Sequence, residues 1–241
     1  NAAQTKSRAN AYLDKMPVLF EDEALLIVDK PSGLAVHGGS GIVLGVIETL
    51  RITRPELKFL ELVHRLDRDT SGVLLLAKKR SALVELHRQI RENQTDKRYY
   101  LLAHGEIKQG AQVMQLKYPL HKYLLANGER RVRVDPEGLP SHTALRVSKV
   151  MKRDDAAITL AEAQLKTGRT HQIRVHLQKL GHAILGDDKY GFEDQDKRIK
   201  SKRLYLHAHL AGFTHPRTGE KMRIESPIPA EFTAMMKTFE Q

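Results

Sequence analysis

The 241-residue sequence predicts an α+β fold built on an antiparallel or mixed central sheet. Segments typical of strands follow one another through the middle of the chain, and the few helical segments do not alternate with them regularly. Regular alternation would favour a doubly wound parallel sheet. No Gly/Ser-rich or Pro-rich linker divides the chain, so we predict one domain over residues 16–241, after a polar, Ala-rich leader or linker remnant over residues 1–15.

The amino-terminal part predicts strand, loop, strand and helix. Residues 24–29 are a short aliphatic run, and Pro31 with Gly33 favours a loop directly after it. A second aliphatic run ends at Ala77 and is typical of a buried strand. Ser81 can cap a helix whose apolar face has 3.6-residue spacing and comprises Leu83, Leu86 and Ile90.

The remaining chain predicts more strands and two helices. Segments rich in β-branched, aromatic or alternating residues are 99–104, 143–150, 158–165 and 205–213. Thr170 can cap a helix from His171 to Leu180, which Gly181 ends. Pro229 opens a last helix that ends near Phe239.

The charge balance favours a polyanionic partner. The sequence has 40 Lys and Arg against 29 Asp and Glu, a net charge of +11, and its basic residues cluster in four bunches. These bunches are residues 78–80, 130–133, 149–153 and 197–203.

The composition also bounds the compartment and the site chemistry. The absence of cysteine excludes disulfides, thiolate metal sites and a cysteine nucleophile, and it favours a reduced compartment, by default the cytoplasm. No apolar run approaches the roughly 20 residues of a membrane helix. We therefore expect no membrane partner, and nothing in the sequence demands more than a monomer.

A polar turn joined to an aliphatic strand occupies residues 64–77. Asp67 is expected at the mouth of that strand, with Arg65 and Arg68 beside it. Turns rich in Asp, Thr, Ser and Gly also arise because these side chains satisfy local backbone groups. Taken alone, the turn does not distinguish chemistry from local structure.

Four blocks, in order along the chain, resemble the motifs of the RluA family of RNA pseudouridine synthases. They are Lys30-Pro31-Ser32-Gly33-Leu34-Ala35-Val36-His37, His64-Arg65-Leu66-Asp67 with Thr70-Ser71-Gly72, Lys97-Arg98-Tyr99, and Thr167-Gly168-Arg169-Thr170-His171-Gln172-Ile173-Arg174-Val175-His176. The resemblance spans nearly the whole chain. It implies a bent, mostly antiparallel central sheet flanked by helices, with a cleft across it.

The resemblance also implies a function. Residues 16–241 would form the catalytic domain, which isomerises uridine to pseudouridine in large-subunit ribosomal RNA without a cofactor or metal. A separate amino-terminal S4-type RNA-binding domain would be absent from this sequence.

By the same resemblance, Asp67 is the catalytic carboxylate. Arg174 is expected to pair with it, Tyr99 to stack against the captured uracil, and Arg65 to occupy the position that the flipped base vacates. The other substrate-binding candidates are His64, Lys30 and Arg169. Lys30 could touch an RNA phosphate, although we favour a structural role for it in the cleft wall. The resemblance assigns no catalytic role to residues 186–191, which we predict to be a tight scaffold loop whose Asp residues satisfy backbone donors.

The reaction breaks the bond between C1′ and N1, turns the uracil and rejoins it through C5, with no net gain or loss of atoms. A carboxylate can serve by adding to C6, by trapping C1′ or by removing a sugar proton, and residue identity does not choose among these routes. A carboxylate is a weak nucleophile, so orientation must supply most of the reactivity, for which intramolecular models allow roughly 7–11 kcal/mol. The base must also leave the stack, at a cost of roughly a few kcal/mol.

Three alternatives remain open on sequence. The twelve histidines with Asp67, Asp69, Asp187 and Asp188 could build a metal-dependent nuclease, although no His-Glu-x-x-His motif occurs. A non-catalytic RNA-binding module would share the basic charge. A glycosidase would require a second carboxylate as the acid partner of Asp67, and the sequence indicates none.

Overall fold

The structure is a computed structural model that describes residues 1–39 and 44–240. The described chain forms two compact units, the first from residues 1–96 and 208–227 and the second from residues 97–207 and 228–240. The sequence predicted a single domain because no linker marks these boundaries. The first two crossings fall inside strands, between Asp96 and Lys97 and between His207 and Ala208.

The first unit contains three helices and most of six strands. Its elements in chain order are α1 (Ala2–Asp14), β1 (Val18–Glu21), β2 (Leu25–Lys30), α2 (Val46–Thr53), β3 (Glu61–Leu62), β4 (Ser71–Ala77), α3 (Arg80–Arg91), β11 (Leu206–Thr214, whose first two residues belong to the second unit) and β12 (Lys221–Glu225). The strands follow the order β1-β2-β4-β11-β12, and β3 also pairs with β4. Strand β2 carries the predicted 24–29 run and is almost completely buried.

The core of the first unit lies between the sheet and α3. Strands β2 and β4 contribute Leu25, Ile27, Val73 and Leu75, which pack with Leu86 of the helix. Leu83 and Ile90 pack against the same cluster, so the predicted apolar face of this helix is confirmed. The predicted cap is wrong: the N-cap is Lys79, and Ser81 lies within the first turn.

The segment predicted as a polar leader or linker remnant forms helix α1, which packs against α2. Asn1 caps it, because its side-chain oxygen accepts a hydrogen bond of 3.0 Å from the Ala3 N–H. Alanine is the strongest helix former, and the contact with α2 buries Ala9. A segment without an apolar stripe is therefore helical.

The second unit contains three helices, six strands without the first residue of β5, and the first two residues of β11. Its other elements are β5 (Asp96–His104), β6 (Met114–Leu116), β7 (Leu120–Leu124), β8 (Arg130–Val134), β9 (Thr143–Arg153), β10 (Ala156–Leu165), α4 (Gln172–Leu180), α5 (Glu193–Ile199) and α6 (Ala230–Lys237). Its strands follow the order β5-β10-β9-β6, and β7 with β8 forms a separate two-stranded sheet. The last helix begins after Pro229, as predicted.

Helix α4 carries the second half of the Thr167–His176 motif. Gly181 ends it in the left-handed conformation, with φ of 90°, as predicted. Its predicted start is wrong by one residue, because His171 is the N-cap, with φ of 53°, and Thr170 does not cap the helix. Every strand pair with a described register is antiparallel, and the predicted α+β fold with a mixed, mostly antiparallel sheet is confirmed.

Candidate active site

A tight turn precedes β4 and carries Asp67. The Thr70 N–H donates to the Asp67 carbonyl at 3.1 Å, and the buried Leu66 side chain fixes the entry to the turn. The exit is fixed by Gly72, whose φ is +115° and whose backbone lies so close to β11 that a Cβ would come within 2.1 Å of the Ala208 oxygen. The half-buried Asp67 side chain is thus mounted on rigid backbone.

Lys30 holds this turn in place through hydrogen bonds to backbone carbonyl oxygens. Its ammonium donates to the carbonyl oxygens of Pro31, Leu34 and Arg68 at 2.9, 2.7 and 2.8 Å. The side chain is 1% exposed, and an ammonium has only three donors. These bonds support the structural role favoured for Lys30, which cross-links two loops of the first unit, and its contact with RNA phosphate stays a prediction.

The Lys-Pro-Ser-Gly motif makes two further bonds to the same turn. The Ser32 hydroxyl donates to the Asp69 carbonyl at 2.7 Å, and the Gly33 N–H donates to the Arg68 carbonyl at 2.9 Å. The first and second motifs thus form one hydrogen-bonded assembly around the backbone that carries Asp67.

His64 and Arg65 differ in environment. The half-buried His64 ring accepts a bond of 3.1 Å from the Leu75 N–H through Nε2, which places the proton of the neutral ring on Nδ1. Arg65 is exposed. The carboxylate of Asp69 pairs with Arg68 at 3.4 Å in a solvent-exposed contact that adds little stability.

Gln172 organises the Thr167–His176 motif in the second unit. Its side-chain oxygen accepts from the Arg169 N–H at 3.0 Å and from the Thr167 hydroxyl at 2.8 Å. Its amide nitrogen donates to the His142 carbonyl at 3.0 Å and to the Thr143 hydroxyl at 2.9 Å. All four bonding positions of this buried amide are used, so the loop before α4 has a fixed backbone. The side chain of Arg169 itself is exposed.

Arg174 is buried, with 4% exposure, and forms a bidentate pair with Asp187. The Nε–Oδ2 distance is 2.9 Å and the Nη2–Oδ1 distance is 2.6 Å. The guanidinium also lies 5.3 Å from the centre of the Tyr190 ring.

Asp187 combines two roles. Its Oδ1 accepts from the N–H groups of Lys189 and Tyr190 at 3.0 and 3.1 Å, as we predicted for a scaffold turn. Burial favours a raised pKa, but the bonds and charge of Arg174 with these backbone donors outweigh it and hold the pKa below its usual value. The ion pair with Arg174 was not predicted.

The Tyr190 hydroxyl continues this network. It accepts from the Val132 N–H at 3.0 Å and lies 2.6 Å from Nδ1 of His171. Burial raises the pKa of Tyr190 to about 12, so the phenol keeps its proton. Arg174 is therefore held by two residues that are themselves bonded to fixed backbone.

Tyr99 lies in β5, is buried and stands opposite Ala163 of β10. The described site residues are thus divided between the units. Those of the first unit are Asp67, Arg65, His64 and Lys30, and those of the second are Tyr99, Arg169 and Arg174. Sequence reasoning missed Asp187 and Tyr190 as partners of Arg174, since no periodicity links residues 13 and 16 positions apart.

The basic bunches contain both exposed and structural cations. Lys78 bonds the Asp22 carbonyl at 2.7 Å, and Arg131 bonds the Lys189 carbonyl at 3.0 Å. The Arg203 guanidinium is buried against the Phe232 ring, 5.2 Å from its centre. The bunches are therefore not continuous tracks of solvated charge.

Residues 1–39 and 44–240 lack two kinds of feature. These residues contain no group of three or more His, Asp or Glu side chains placed to hold a metal ion. They also contain no helix with the length and apolar character needed to span a membrane.

A family model described as RNA pseudouridylate synthase matches residues 24–179. The chain belongs to this family. It is an RNA pseudouridine synthase, an enzyme that isomerises uridine within RNA, and the resemblance drawn from the sequence motifs is confirmed.

Among similar curated proteins of this family are two called ribosomal large subunit pseudouridine synthase C. The one from Pasteurella multocida (strain Pm70) is 51% identical over 235 residues, which cover 96% of this chain and 70% of that protein. The one from Escherichia coli (strain K12) is 52% identical over 216 residues, which cover 88% of this chain and 66% of that protein.

Solved structures of pseudouridylate synthases share the fold. Human RNA pseudouridylate synthase domain containing 4 has a TM-score of 0.76 at 23% identity and covers 100% of this chain and 98% of its own. Human RNA pseudouridylate synthase domain containing 1 has a TM-score of 0.73 at 24% identity and covers 88% of this chain and 83% of its own. At these identities the likeness concerns the fold alone.

Proposed function

We propose that this pseudouridine synthase isomerises selected uridines of large-subunit (23S) ribosomal RNA in the cytoplasm. The names of relatives about half identical in sequence support this substrate. The net charge of +11 suits a polyanionic partner.

Asp67 is the proposed catalytic carboxylate. The observation that carries this assignment is the way its backbone is held, by the three carbonyl bonds of Lys30 and the close approach of Gly72 to Ala208. A carboxylate gains reactivity from orientation more than from basicity, and intramolecular models allow roughly 7–11 kcal/mol for it. The bonds that hold this turn provide such an orientation.

Arg174, Tyr99 and Arg65 complete the proposal. Arg174 supplies a positive charge held by Asp187 and Tyr190, and we assign it the role of partner to the catalytic carboxylate. Tyr99 stacks against the flipped uracil, and the exposed Arg65 fills the gap in the RNA stack. His64 and Arg169 flank these residues in sequence and contact the RNA.

The reaction balances without a co-reactant. The C1′–N1 bond breaks and a C1′–C5 bond forms; C5 then loses its hydrogen as a proton, and N1 regains one. The carboxylate can act at C6, at C1′ or on a sugar proton. In each case the C5 hydrogen exchanges with solvent.

That exchange provides the test. Large-subunit ribosomal RNA labelled with tritium at C5 of uridine is incubated with the protein, with and without EDTA. We expect tritium release in both samples, and no release by Asp67→Asn, whose RNA affinity stays within about tenfold. Asp69→Asn, in the same turn, is the matched control and should retain activity.

Three results would contradict the proposal. Strand cleavage that EDTA stops would indicate the nuclease instead. Undiminished tritium release by Asp67→Asn would remove Asp67 from the reaction. RNA binding without tritium release by the wild-type protein would indicate a passive binding module.

A further inference from the structure

Lys97 differs in its environment from Lys30, the buried lysine of the first motif. It begins the Lys97-Arg98-Tyr99 block, and its side chain is half-buried beside the loop that precedes α4. Its Nζ lies against Gly168, where a Cβ would come within 3.3 Å of it. Among the described residues, no acceptor or carboxylate is bonded to this ammonium.

An ammonium in this state costs stability. Lys30 is more deeply buried but donates to three carbonyls. For Lys97, burial lowers the pKa, and no neighbouring charge or hydrogen bond opposes it. A partly desolvated cation with no carboxylate or other bonded acceptor among the described residues is less stable than an exposed one until an anion reaches it.

The position of Lys97 relates it to the proposed uridine site. Side chains two apart on a strand share one face, so Lys97 and Tyr99 project from the same side of β5, about 7 Å apart. The neighbouring Gly168 precedes Arg169 in the loop that Gln172 holds. Gly168 does not have a positive φ, so its backbone conformation is open to other residues. The absence of a side chain at Gly168 therefore leaves space beside the ammonium of Lys97.

We propose that Lys97 is a substrate-binding residue whose ammonium takes a phosphate oxygen of the RNA next to the target uridine. This proposal rests on the proposed function and extends it to one more residue. A phosphate offers a full negative charge, whereas a uracil carbonyl offers a partial one, and the ammonium is a compact point charge suited to phosphate. The bound RNA then offsets the cost of the unpaired cation.

The test compares Lys97→Met, which keeps the length of the side chain, with Lys97→Arg, which keeps the charge. Lys237→Met, on the exposed side of α6, is the control for the loss of one charge. The melting temperature of each free protein is measured. Binding of a fluorescein-labelled, single-stranded, uridine-containing RNA is measured by anisotropy over a series of KCl concentrations.

For Lys97→Met we expect an equal or higher melting temperature, a Kd raised about tenfold, and a salt slope reduced by about 0.7. Lys97→Arg should restore the slope, and Lys237→Met should leave the melting temperature, Kd and slope unchanged.

Two outcomes overturn the proposal. A lower melting temperature with an unchanged slope would make Lys97 structural. A higher Kd with an unchanged slope would assign the ammonium to a neutral group rather than a phosphate. Because binding is measured without turnover, failure of tritium release would refute the proposed function while the salt slope still decides the role of Lys97.

Discussion

Asp187→Ala should be among the most destabilising single changes in the second unit. The substitution removes both bonds to the guanidinium of Arg174 and leaves that charge buried with 4% exposure. It also removes the acceptor for the N–H groups of Lys189 and Tyr190. Breaking a buried ion pair by removing one partner costs about 3–5 kcal/mol.

The expected fall in melting temperature is this free-energy cost divided by the entropy of unfolding, which scales with chain length. About 2.1 cal/mol/K for each of 241 residues gives an unfolding entropy of about 0.5 kcal/mol/K. Asp187→Ala should therefore lower the melting temperature by about 6–10 °C, measured by calorimetry and by urea unfolding. At temperatures where the variant is folded, kcat should fall more than KM rises, because the change misplaces a cation without removing an RNA contact.

The neighbouring Asp188 provides the control. Its side chain is 70% exposed and lies 3.6 Å from Nη2 of Arg174, so Asp188→Ala should change stability by no more than about 0.5 kcal/mol. The double variant Arg174→Met with Asp187→Ala should cost less than Asp187→Ala alone, because it removes the buried charge of Arg174 together with its bidentate partner. Equal costs for Asp187→Ala and Asp188→Ala would refute the reasoning.

The pH dependence has a definite sign. The pKa of Asp187 is lower in the folded chain than in the unfolded one, so its contribution is complete above the unfolded value of about 3.9. It is lost as the pH falls through the folded value. Asp187→Asn should remove this part of the acid sensitivity, measured as the free energy of unfolding below about pH 4.

Two further predictions concern buried groups. Burial lowers the pKa of His176, so its contribution is complete above about pH 6.5 and falls as the pH drops toward the folded value; His176→Gln should flatten the urea-derived free energy over this range. Gly72→Ala should prevent folding or cost more than about 4 kcal/mol, since its Cβ would meet the Ala208 oxygen at 2.1 Å. Gly128→Ala, at a φ of +85° with open space around it, should cost only about 1–2 kcal/mol, and equal melting temperatures for the two variants would contradict the steric argument.

The sequence predicted strands and the apolar face of α3 well, because both depend on local periodicity. It missed the hairpin of β7 and β8, whose buried residues are few and separated by charged ones. It missed α1 because this segment has high helix propensity but no apolar stripe to indicate a helix. The first two unit boundaries gave no signal in the sequence, since they fall within strands.

The site shows a different limit. The motifs correctly identified the family, but they could not say which polar residue serves the fold. Lys30 follows the predicted strand over residues 24–29 and precedes a Pro-Ser-Gly turn, a context that favours exposure. Its burial is explained by the three carbonyl oxygens that accept hydrogen bonds from its ammonium. Asp187 was predicted as scaffold, and its pairing with Arg174 depends on how the loop after α4 folds back.

A motif in this chain therefore mixes two kinds of polar residue that composition does not separate. Gln172 and Lys30 are buried, and each is hydrogen-bonded to groups of its own unit. These hydrogen bonds stabilise the fold. Lys97 lies in a comparable position, yet burial lowers its pKa and nothing on the described chain offsets that effect. Residues that depart from the rules of stability are expected chiefly at functional or strained sites. A cation that weakens the free protein is thus a stronger indication of a substrate contact than an exposed lysine would be.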